Sequence, residues 1–358
     1  MKKSLLLVLL LFLVAPASAQ PLASYTNLQN ELMVWNRGMI HKMDYMPPTY
    51  IQVGRTTIPY LDNSRTFKIY YNGSVQQVNA GFTNNFFVTD NLVAFVNQKS
   101  LSVFDKGTIK HLTGIADQYF VQDSLIFYLD GLKNDYKVYY NGQIQQIEAY
   151  FADSQLSTIS VSDNIIAYNN FANQFRIFFQ GRKLAVEEFP VNAFKAGRNT
   201  VAYIDGDKKF KIFHSGKVRE VDNFPPQSYQ VGDDLVAYVT TDGFFKIFYK
   251  DSIYSVGFGN PPYQVGDNIV AFKDATGYLR VFYKGDITDM ENYYPAELSI
   301  QYNSLAYVNQ AGILRLFTEG ETYEVTNSEL TSWNLNYDVI TYQIGQGMFK
   351  VFYKGQEF

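Results

Sequence analysis

The sequence predicts an all-β fold assembled from one short antiparallel unit used about ten times. Three observations carry this. First, a seven-residue pattern recurs: apolar, basic, aliphatic, aromatic, usually Tyr, any residue, Gly. Clear copies are Phe67–Gly73, Tyr136–Gly142, Phe210–Gly216 and Phe349–Gly355. Second, its turn residue falls at Gly38, Gly73, Gly107, Gly142, Gly181, Gly216, Asp251, Gly285, Gly320 and Gly355. The spacing is 34 or 35 residues throughout, except for 39 between Gly142 and Gly181. Third, aromatic residues make up 17% of the chain, as 29 Tyr, 29 Phe and 2 Trp. Tyr and Phe favour strands.

The unit from Tyr229 to Phe258 shows how each element arises. Strand A is short, near Tyr229–Val231, and Gly232-Asp233-Asp234 turns the chain. Strand B is Leu235–Val239, and Thr241-Asp242-Gly243 is a hairpin turn with Gly available for positive φ. Strand C is Phe244–Tyr249, followed by a Lys250-Asp251 turn and strand D, Ile253–Val256. A Pro-containing connection, Gly259–Pro262, leads onward. Four short strands joined by tight turns make an antiparallel meander.

Strand C is the most informative. Four residues before the turn the side chain is aliphatic in all ten units, from Val34 to Val351. Three before, it is aromatic in all ten, from Trp35 to Phe352. Neighbouring strand residues point to opposite faces, so both faces of this strand are packed. Strand B agrees. It places a small residue before an aromatic one in Ala167-Tyr168, Ala202-Tyr203, Ala237-Tyr238, Ala271-Phe272 and Ala306-Tyr307, which leaves room for a large side chain from the next layer.

Five residues before the turn the side chain is basic in eight units: Lys68, Lys137, Arg176, Lys211, Lys246, Arg280, Arg315 and Lys350. A cationic ladder for an anion is one reading. Cross-strand pairing is the favoured one. A two-residue C–D turn sets Lys211 opposite Glu220, Arg280 opposite Asp289 and Arg315 opposite Glu324, and such pairs contribute roughly 0.2–1 kcal/mol.

A fixed period, a four-stranded unit and two buried faces together indicate a β-propeller. The repeat resembles that of secreted bacterial propellers of the broad TolB-like and WD40-like kind over residues 22–358, through the form [Phe/Leu]-[Lys/Arg]-aliphatic-aromatic-Tyr-x-Gly. No Trp-Asp series, kelch Gly-Gly or Asp-box run accompanies it, so the resemblance implies a fold and transfers no functional residue. About eight to ten units are expected. An open β-solenoid and two five-unit propellers split at the long Gly142–Gly181 spacing are the alternatives. The first unit begins near its strand B, at Leu22–Tyr25, and the last stops just after strand C. Closure by strands from both termini is expected, since it removes exposed edges.

Residues 1–19 read as a secretory signal peptide. Lys2 and Lys3 precede the apolar run Leu5–Val14, and Ala17-Ser18-Ala19 is a small-residue cleavage site. Residues 20–358 are then the mature propeller domain, exported to the periplasm or secreted. That run is too short for a membrane span of roughly 20 residues, and no later segment approaches that length. The chain has no cysteine, which excludes disulfides, thiolate metal sites and a Cys nucleophile. Loss of Lys2 and Lys3 takes the formal charge from −4 to −6. Mild acidity without a basic run argues against nucleic acid as a partner. The protein is expected to act as a monomer.

The search for chemistry finds scaffold at most positions. His111 and His214 follow the repeat, and only His41 sits in an irregular stretch. The three give neither metal spacing nor a Ser-His-Asp set. Trp35 and Trp333 occupy repeat positions. Recurrent Asp in the A–B turns (Asp90, Asp163, Asp233, Asp267) suits turn formation better than calcium, which needs six to eight oxygens around one ion. No metal or cofactor is implied. Carboxylates that depart from the repeat are Asp44, Asp153, Glu187, Glu188, Glu291, Glu297 and Glu329, most of them between strand D and the next strand A. Some of the same connections carry Tyr45, Tyr150, Phe151, Tyr293 and Tyr294. Asp44, Tyr45, Glu187, Glu188, Glu291, Tyr293 and Tyr294 are therefore the candidate ligand-binding residues, on the face that bears the D–A connections. The reading that follows is a non-enzymatic exported scaffold binding a protein, peptide or glycan. The rival is a propeller hydrolase or lyase acting on polysaccharide, which needs two carboxylates across a cleft.

Overall fold

The computed structural model describes residues 20–78, 83–149, 151, 159–345 and 347–358. Among them there is no helix. The strands form ten separate antiparallel sheets in chain order, each a blade. Blade 1 has three strands, Ala23–Thr26, Leu32–Asn36 and Met39–Asp44. The other nine have four and span 50–77, 83–113, 119–148, 160–187, 193–222, 228–258, 263–291, 299–326 and 330–357. The expected signal peptide lies outside the described residues.

The repeat supplies the turns. In every blade the two residues of the C–D turn have positive φ, as at Asn72 (49°) and Gly73 (84°), or Lys284 (51°) and Gly285 (105°). That is the type I′ geometry whose twist matches the strands it joins. Asp251 alone holds the second position without glycine, at φ 66°. The register follows: Lys211 faces Glu220, Arg280 faces Asp289 and Arg315 faces Glu324. One residue further along, eight blades carry a β-bulge in strand D, as between Phe210 and Lys211 on the facing strand. A bulge turns the side chains beyond it to the other face.

Packing follows the alternation in strands B and C. Each pair of successive blades shares one apolar cluster, and the ten clusters account for all ten interfaces of a closed ring. The aliphatic residue of strand C meets the following blade and the aromatic residue meets the preceding one. Ile177 packs with Phe213 of the next blade, and Ile212 with Phe248. The small residue of strand B takes the aromatic ring of the next blade's strand B, as Ala167 does Tyr203 and Ala237 does Phe272.

The ring closes without a shared sheet, which corrects the expectation of closure by strands from both termini. Blade 1 lacks strand A and borrows none. Blade 10 completes itself with a short strand D, Gln356–Glu357, where the sequence suggested an end just after strand C. Blades 1 and 10 instead pack face to face through Ala23, Trp35, Val339 and Val351. The Trp35 ring lies 5.2 Å from that of Tyr353 and 5.4 Å from that of Phe358. Asn336 Nδ2 donates to Leu22 O at 3.3 Å. One closed ring rules out the open solenoid and the pair of five-unit propellers. Blades 4 and 5, on either side of the long spacing, share a continuous cluster through Phe127, Phe151 and Tyr168.

Phe248 is fully buried between blades 6 and 7. Phe248→Ala is expected to cost about 3–5 kcal/mol in urea denaturation, the range for a large aromatic removed from a core. A loss below about 1 kcal/mol would contradict the face-to-face packing.

Candidate functional site

The D–A connections and the B–C turns share one end of the ring. The candidate residues occupy three separate sectors of that end: Asp44 and Tyr45 after blade 1, Glu187 and Glu188 after blade 5, and Glu291, Tyr293 and Tyr294 after blade 8. The structure does not bring these sectors together.

Three of the carboxylates prove to be part of the repeat. Asp44, Glu187 and Glu291 each stand just past the strand D bulge, six residues after the C–D turn residue, so they face the next blade. There they meet a strand B tyrosine and the basic residue of strand C. Asp44 accepts from Tyr60 Oη at 3.1 Å and from Lys68 Nζ at 2.8 Å. Glu187 accepts from Tyr203 Oη at 2.8 Å and Lys211 Nζ at 2.9 Å. Glu291 accepts from Tyr307 Oη at 3.1 Å, with Arg315 Nε at 3.5 Å. Glu148 takes Tyr168 Oη at 3.1 Å in the same way. Burial alone raises the Asp44 carboxyl, but its hydrogen bonds, led by the one from Lys68, hold it below its ordinary value. Lys211 is the mirror case: burial lowers it, and its bonds to Asp205 and Glu187 outweigh that and raise it.

These clamps correct the expected cross-strand pairing in one case. Arg315 pairs with Glu324 at 2.9 Å, and Arg280 pairs with Asp289. Lys211 turns away from Glu220 to Glu187 at 2.9 Å and Asp205 at 2.8 Å, while Glu220 takes Lys209 at 2.9 Å. Lys211 can reach two shielded carboxylates at once, which outweighs one exposed partner.

The remaining candidates are more open. Glu188 accepts from Gln174 Nε2 at 2.8 Å on the surface. Tyr45 is exposed, with Lys42 Nζ 4.0 Å from its ring centroid. Tyr293 Oη accepts from the Gln310 amide at 2.8 Å. Tyr294 packs half-buried against the cluster between blades 8 and 9. Tyr150 and Asp153 lie outside the described residues. His41, expected in an irregular stretch, lies in strand D of blade 1 opposite Val34.

The same end exposes aromatic rings that the sequence reading did not single out. Phe189 and Phe224 occupy the D–A connections of blades 5 and 6, and Phe258 ends strand D of blade 7. With Tyr45 they are between 63% and 76% exposed. Pro190, Pro225 and Pro261 lie within three residues of Phe189, Phe224 and Phe258, so each ring stands on or beside a stiff connection.

At the opposite end the A–B turns close around the channel. Each turn places one residue at the same level: Arg55, Asp90, Asp123, Asp163, Arg198, Asp233, Asp267, Tyr302 and Tyr337 in blades 2 to 10. Successive turns touch. The Asp233 amide donates to Asp267 O at 2.6 Å, and the Asp267 amide to Tyr302 O at 2.8 Å. The Asp90 amide donates to Asp123 Oδ1 at 3.0 Å. Gly197 and Gly232 permit this approach, because a Cβ on either would run into the next turn's carbonyl oxygens. Tyr302 and Tyr337 stack at 4.1 Å and join hydroxyls at 3.0 Å, and the Arg55 guanidinium lies 4.5 Å above the Tyr337 ring.

Five carboxylates and two guanidiniums thus share a confined mouth. Burial, then the Asp267 charge, pushes Asp233 up to about 8, and Arg198 offsets part of this. Burial and neighbouring carboxylates push Asp123 and Asp267 up to about 7, and Asp163 up to about 6. Among the described residues no group of three or more His, Asp or Glu is set to hold a metal ion. The A–B aspartates read as turn formers in the sequence are that, and they also converge. The available signal was their constant distance from the C–D turn, 18 residues in seven of the nine blades.

The chain belongs to the 10-bladed beta propeller domain family, whose profile matches residues 16–358. No curated protein matches it. Among solved structures it is similar to the computationally designed Ika8 protein, at 16% identity over 75% of this chain and 95% of that one, with a TM-score of 0.33. It is also similar to Hsv2p of Kluyveromyces lactis, at 13% identity over 78% and 99%, with a TM-score of 0.32. A third is PorZ, a bacterial surface component of the type-IX secretion system of Porphyromonas gingivalis, at 8% identity over 87% of this chain and 51% of that one, with a TM-score of 0.31. Likeness at this level supports no inference about function.

Two expectations follow. Glu187→Ala strands the Tyr203 hydroxyl and is expected to cost about 1–3 kcal/mol in chemical denaturation, whereas exposed Glu188→Ala is expected to cost under about 0.5 kcal/mol. At the channel mouth the folded state holds its protons more tightly than the unfolded one. The four raised aspartates therefore contribute a stability that is complete below pH 4 and falls as pH rises from 4 to 8. Asp233→Asn removes one such group. Calorimetry should find its Tm raised by roughly 2 °C at pH 8 and little changed at pH 4.

Proposed function

We propose that this protein is an exported, non-catalytic propeller scaffold that binds a protein, peptide or glycan on the end bearing the D–A connections. Export rests on residues 1–19, with the domain delivered to the periplasm or the medium. The observation that carries the binding reading is the row of Phe189, Phe224 and Phe258 on three successive blades. Exposed rings on stiff connections offer large contact area at low cost in conformational entropy, the character of a recognition surface. Tyr45, Glu188 and Tyr293 extend that surface around the ring. Binding is favoured over polysaccharide hydrolysis because Asp44, Glu187 and Glu291 are engaged with Tyr and Lys or Arg from the next blade. None of them is left to act as a general acid opposite a second carboxylate.

The test is a screen of residues 20–358 against a glycan array and a displayed-peptide library. The triple variant Phe189→Ser, Phe224→Ser, Phe258→Ser is expected to lose at least tenfold in affinity for the selected binders with its Tm almost unchanged. Binders that survive the triple variant would place recognition elsewhere.

A further inference from the structure

The clamp between blades is left open at one place. Elsewhere the basic residue of strand C draws its carboxylates from three positions. One lies across the C–D hairpin, as Asp289 does for Arg280 and Glu324 for Arg315. One lies two residues after the strand B aromatic: Asp62 meets Lys68 at 3.0 Å, Asp205 meets Lys211 at 2.8 Å and Asp274 meets Arg280 at 2.8 Å. The third stands past the bulge of the preceding blade, as Asp44, Glu187 and Glu291 do. In blade 7 the first position holds Ser255 and the second Thr240. Thr240 is buried and turned inward, where its hydroxyl donates to Asp242 and accepts the Phe244 amide at 2.9 Å. The third position holds Asp222, one methylene shorter than Glu187, and its Oδ1 accepts the Phe224 amide at 3.2 Å. Among the eight basic residues of strand C, Lys246 alone has neither an ion pair nor a hydrogen bond to a described residue.

The tyrosine of the same clamp is stranded with it. Tyr238 faces Lys246 across strands B and C, as Tyr203 faces Lys211. In blade 6 a single atom, Glu187 Oε1, accepts from both Tyr203 Oη and Lys211 Nζ. In blade 7 the Tyr238 side chain is fully buried and its hydroxyl has no partner. The hydroxyls of Tyr60, Tyr128, Tyr168, Tyr203, Tyr307 and Tyr342, the other strand B tyrosines, each have one. An unpaired buried hydroxyl is a standing cost that an incoming acceptor removes. The open clamp lies at the end that carries the aromatic row. Phe224 follows Asp222 by two residues. Phe244 precedes Lys246 by two, so both point to one face, and Lys246 Nζ lies 5.9 Å from the Phe244 ring centroid. The Phe244 and Phe258 rings meet edge to face at 5.4 Å, and both are exposed.

We propose that the open clamp of blade 7 receives a glutamate side chain from an extended peptide segment of a partner protein. Lys246 Nζ and Tyr238 Oη donate to its carboxylate, as Lys211 and Tyr203 do to Glu187. Phe224, Phe244 and Phe258 take the apolar residues beside it. Lys246 is partly exposed and takes the carboxylate first. The Tyr238 hydroxyl, enclosed in the free protein, is uncovered as the lysine swings onto its ligand. A peptide is favoured because the filled clamps take their carboxylate from an extended chain: Glu187 and Glu291 each end a strand D. A cationic side chain would meet Lys246, and a neutral one would leave its charge unanswered. This inference rests on the D–A end being the binding face, and it names the chemistry that face selects.

The test uses residues 20–358 and a displayed library of random decapeptides. Selected binders are synthesised with both ends blocked, and their affinities are read by fluorescence anisotropy. The expected binders carry a glutamate beside an apolar residue, and changing that glutamate to glutamine weakens them at least about tenfold, the scale of a lost charge-assisted pair. Lys246→Met should weaken the glutamate peptides by a similar factor and leave the glutamine versions unchanged. Tyr238→Phe should weaken the glutamate peptides severalfold with its Tm unchanged or raised, whereas Tyr203→Phe, which loses a bonded hydroxyl, lowers the Tm. Lys284→Met, on a C–D turn at the far end, should change nothing. Peptides lost in the triple Phe variant yet indifferent to Lys246→Met would overturn this inference and leave the binding face standing. Selection of no peptide would overturn it too, and binding of uronic-acid oligosaccharides on the glycan array would then support the face alone. A Tm loss in Tyr238→Phe equal to that in Tyr203→Phe would mean that Asp222 already fills the clamp, which also overturns the proposal.

Discussion

Every blade depends on the alternation inside its third strand, which sends an aliphatic side chain to one neighbour and an aromatic ring to the other. A sheet packed on a single face could end the chain anywhere. A sheet packed on both faces needs a partner on each side, and the requirement passes from blade to blade until the ring closes. Closure here needs no exchanged strand, because blade 1 and blade 10 present the same kind of surface to each other as any other pair. Trp35 illustrates the point: it fills the aromatic position of strand C in the first blade and is fully buried against the last. With no disulfide available, the stability of the ring rests on these ten apolar interfaces and on the polar clamps above them.

Those clamps arise from a backbone irregularity. Without the strand D bulge, Glu187 would share a face with Ala185. With it, Glu187 crosses to the next blade and meets Lys211, whose own side chain points back. The bulge thus converts a surface charge into an inter-blade contact, and it does so in blade after blade. At the centre a different problem arises, since nine inner strands present open edges to a channel. The structure answers with bridging side chains along the wall and with hydrogen-bonded turns at the mouth. The second solution brings aspartates from several blades into one confined space, where burial and mutual repulsion raise their affinity for protons.

The architecture was legible in the sequence because strand periodicity and turn chemistry are local. Gly73 and Gly142 mark I′ turns, and Val351 beside Phe352 marks a strand buried on both sides, with no knowledge of the ring. Even the pairing of Arg315 with Glu324 followed from counting across one hairpin. The site was less legible, for two physical reasons. A bulge leaves no compositional trace, so Asp44, Glu187 and Glu291 looked like departures from the repeat when they belong to it. Convergence at a channel depends on closure, so Asp163, Asp233 and Asp267 each read as a local turn former. Phe189, Phe224 and Phe258 were hidden for the opposite reason: in a chain with 29 phenylalanines, exposure alone distinguishes them.

A repeat protein is best searched for function at positions where the structure, more than the sequence, identifies an exception. Phe120 is unremarked as a residue of strand A, since aromatic side chains suit strands. Its meaning comes from Gln52, Ser160, Lys195 and Gln230, which occupy the equivalent place and reach across to the next blade. Against them, a ring that makes no such bridge and lines a cavity is a departure from the repeat. Two such departures in adjacent blades, Phe87 and Phe120, concentrate apolar surface in one arc of the channel. The opposite arc, with Tyr302 and Tyr337 stacked and Arg55 laid over them, is closed by its own contacts. The ring is therefore regular in its packing and polarised in its interior, and the polarity follows from which residue each blade places at a single repeated position.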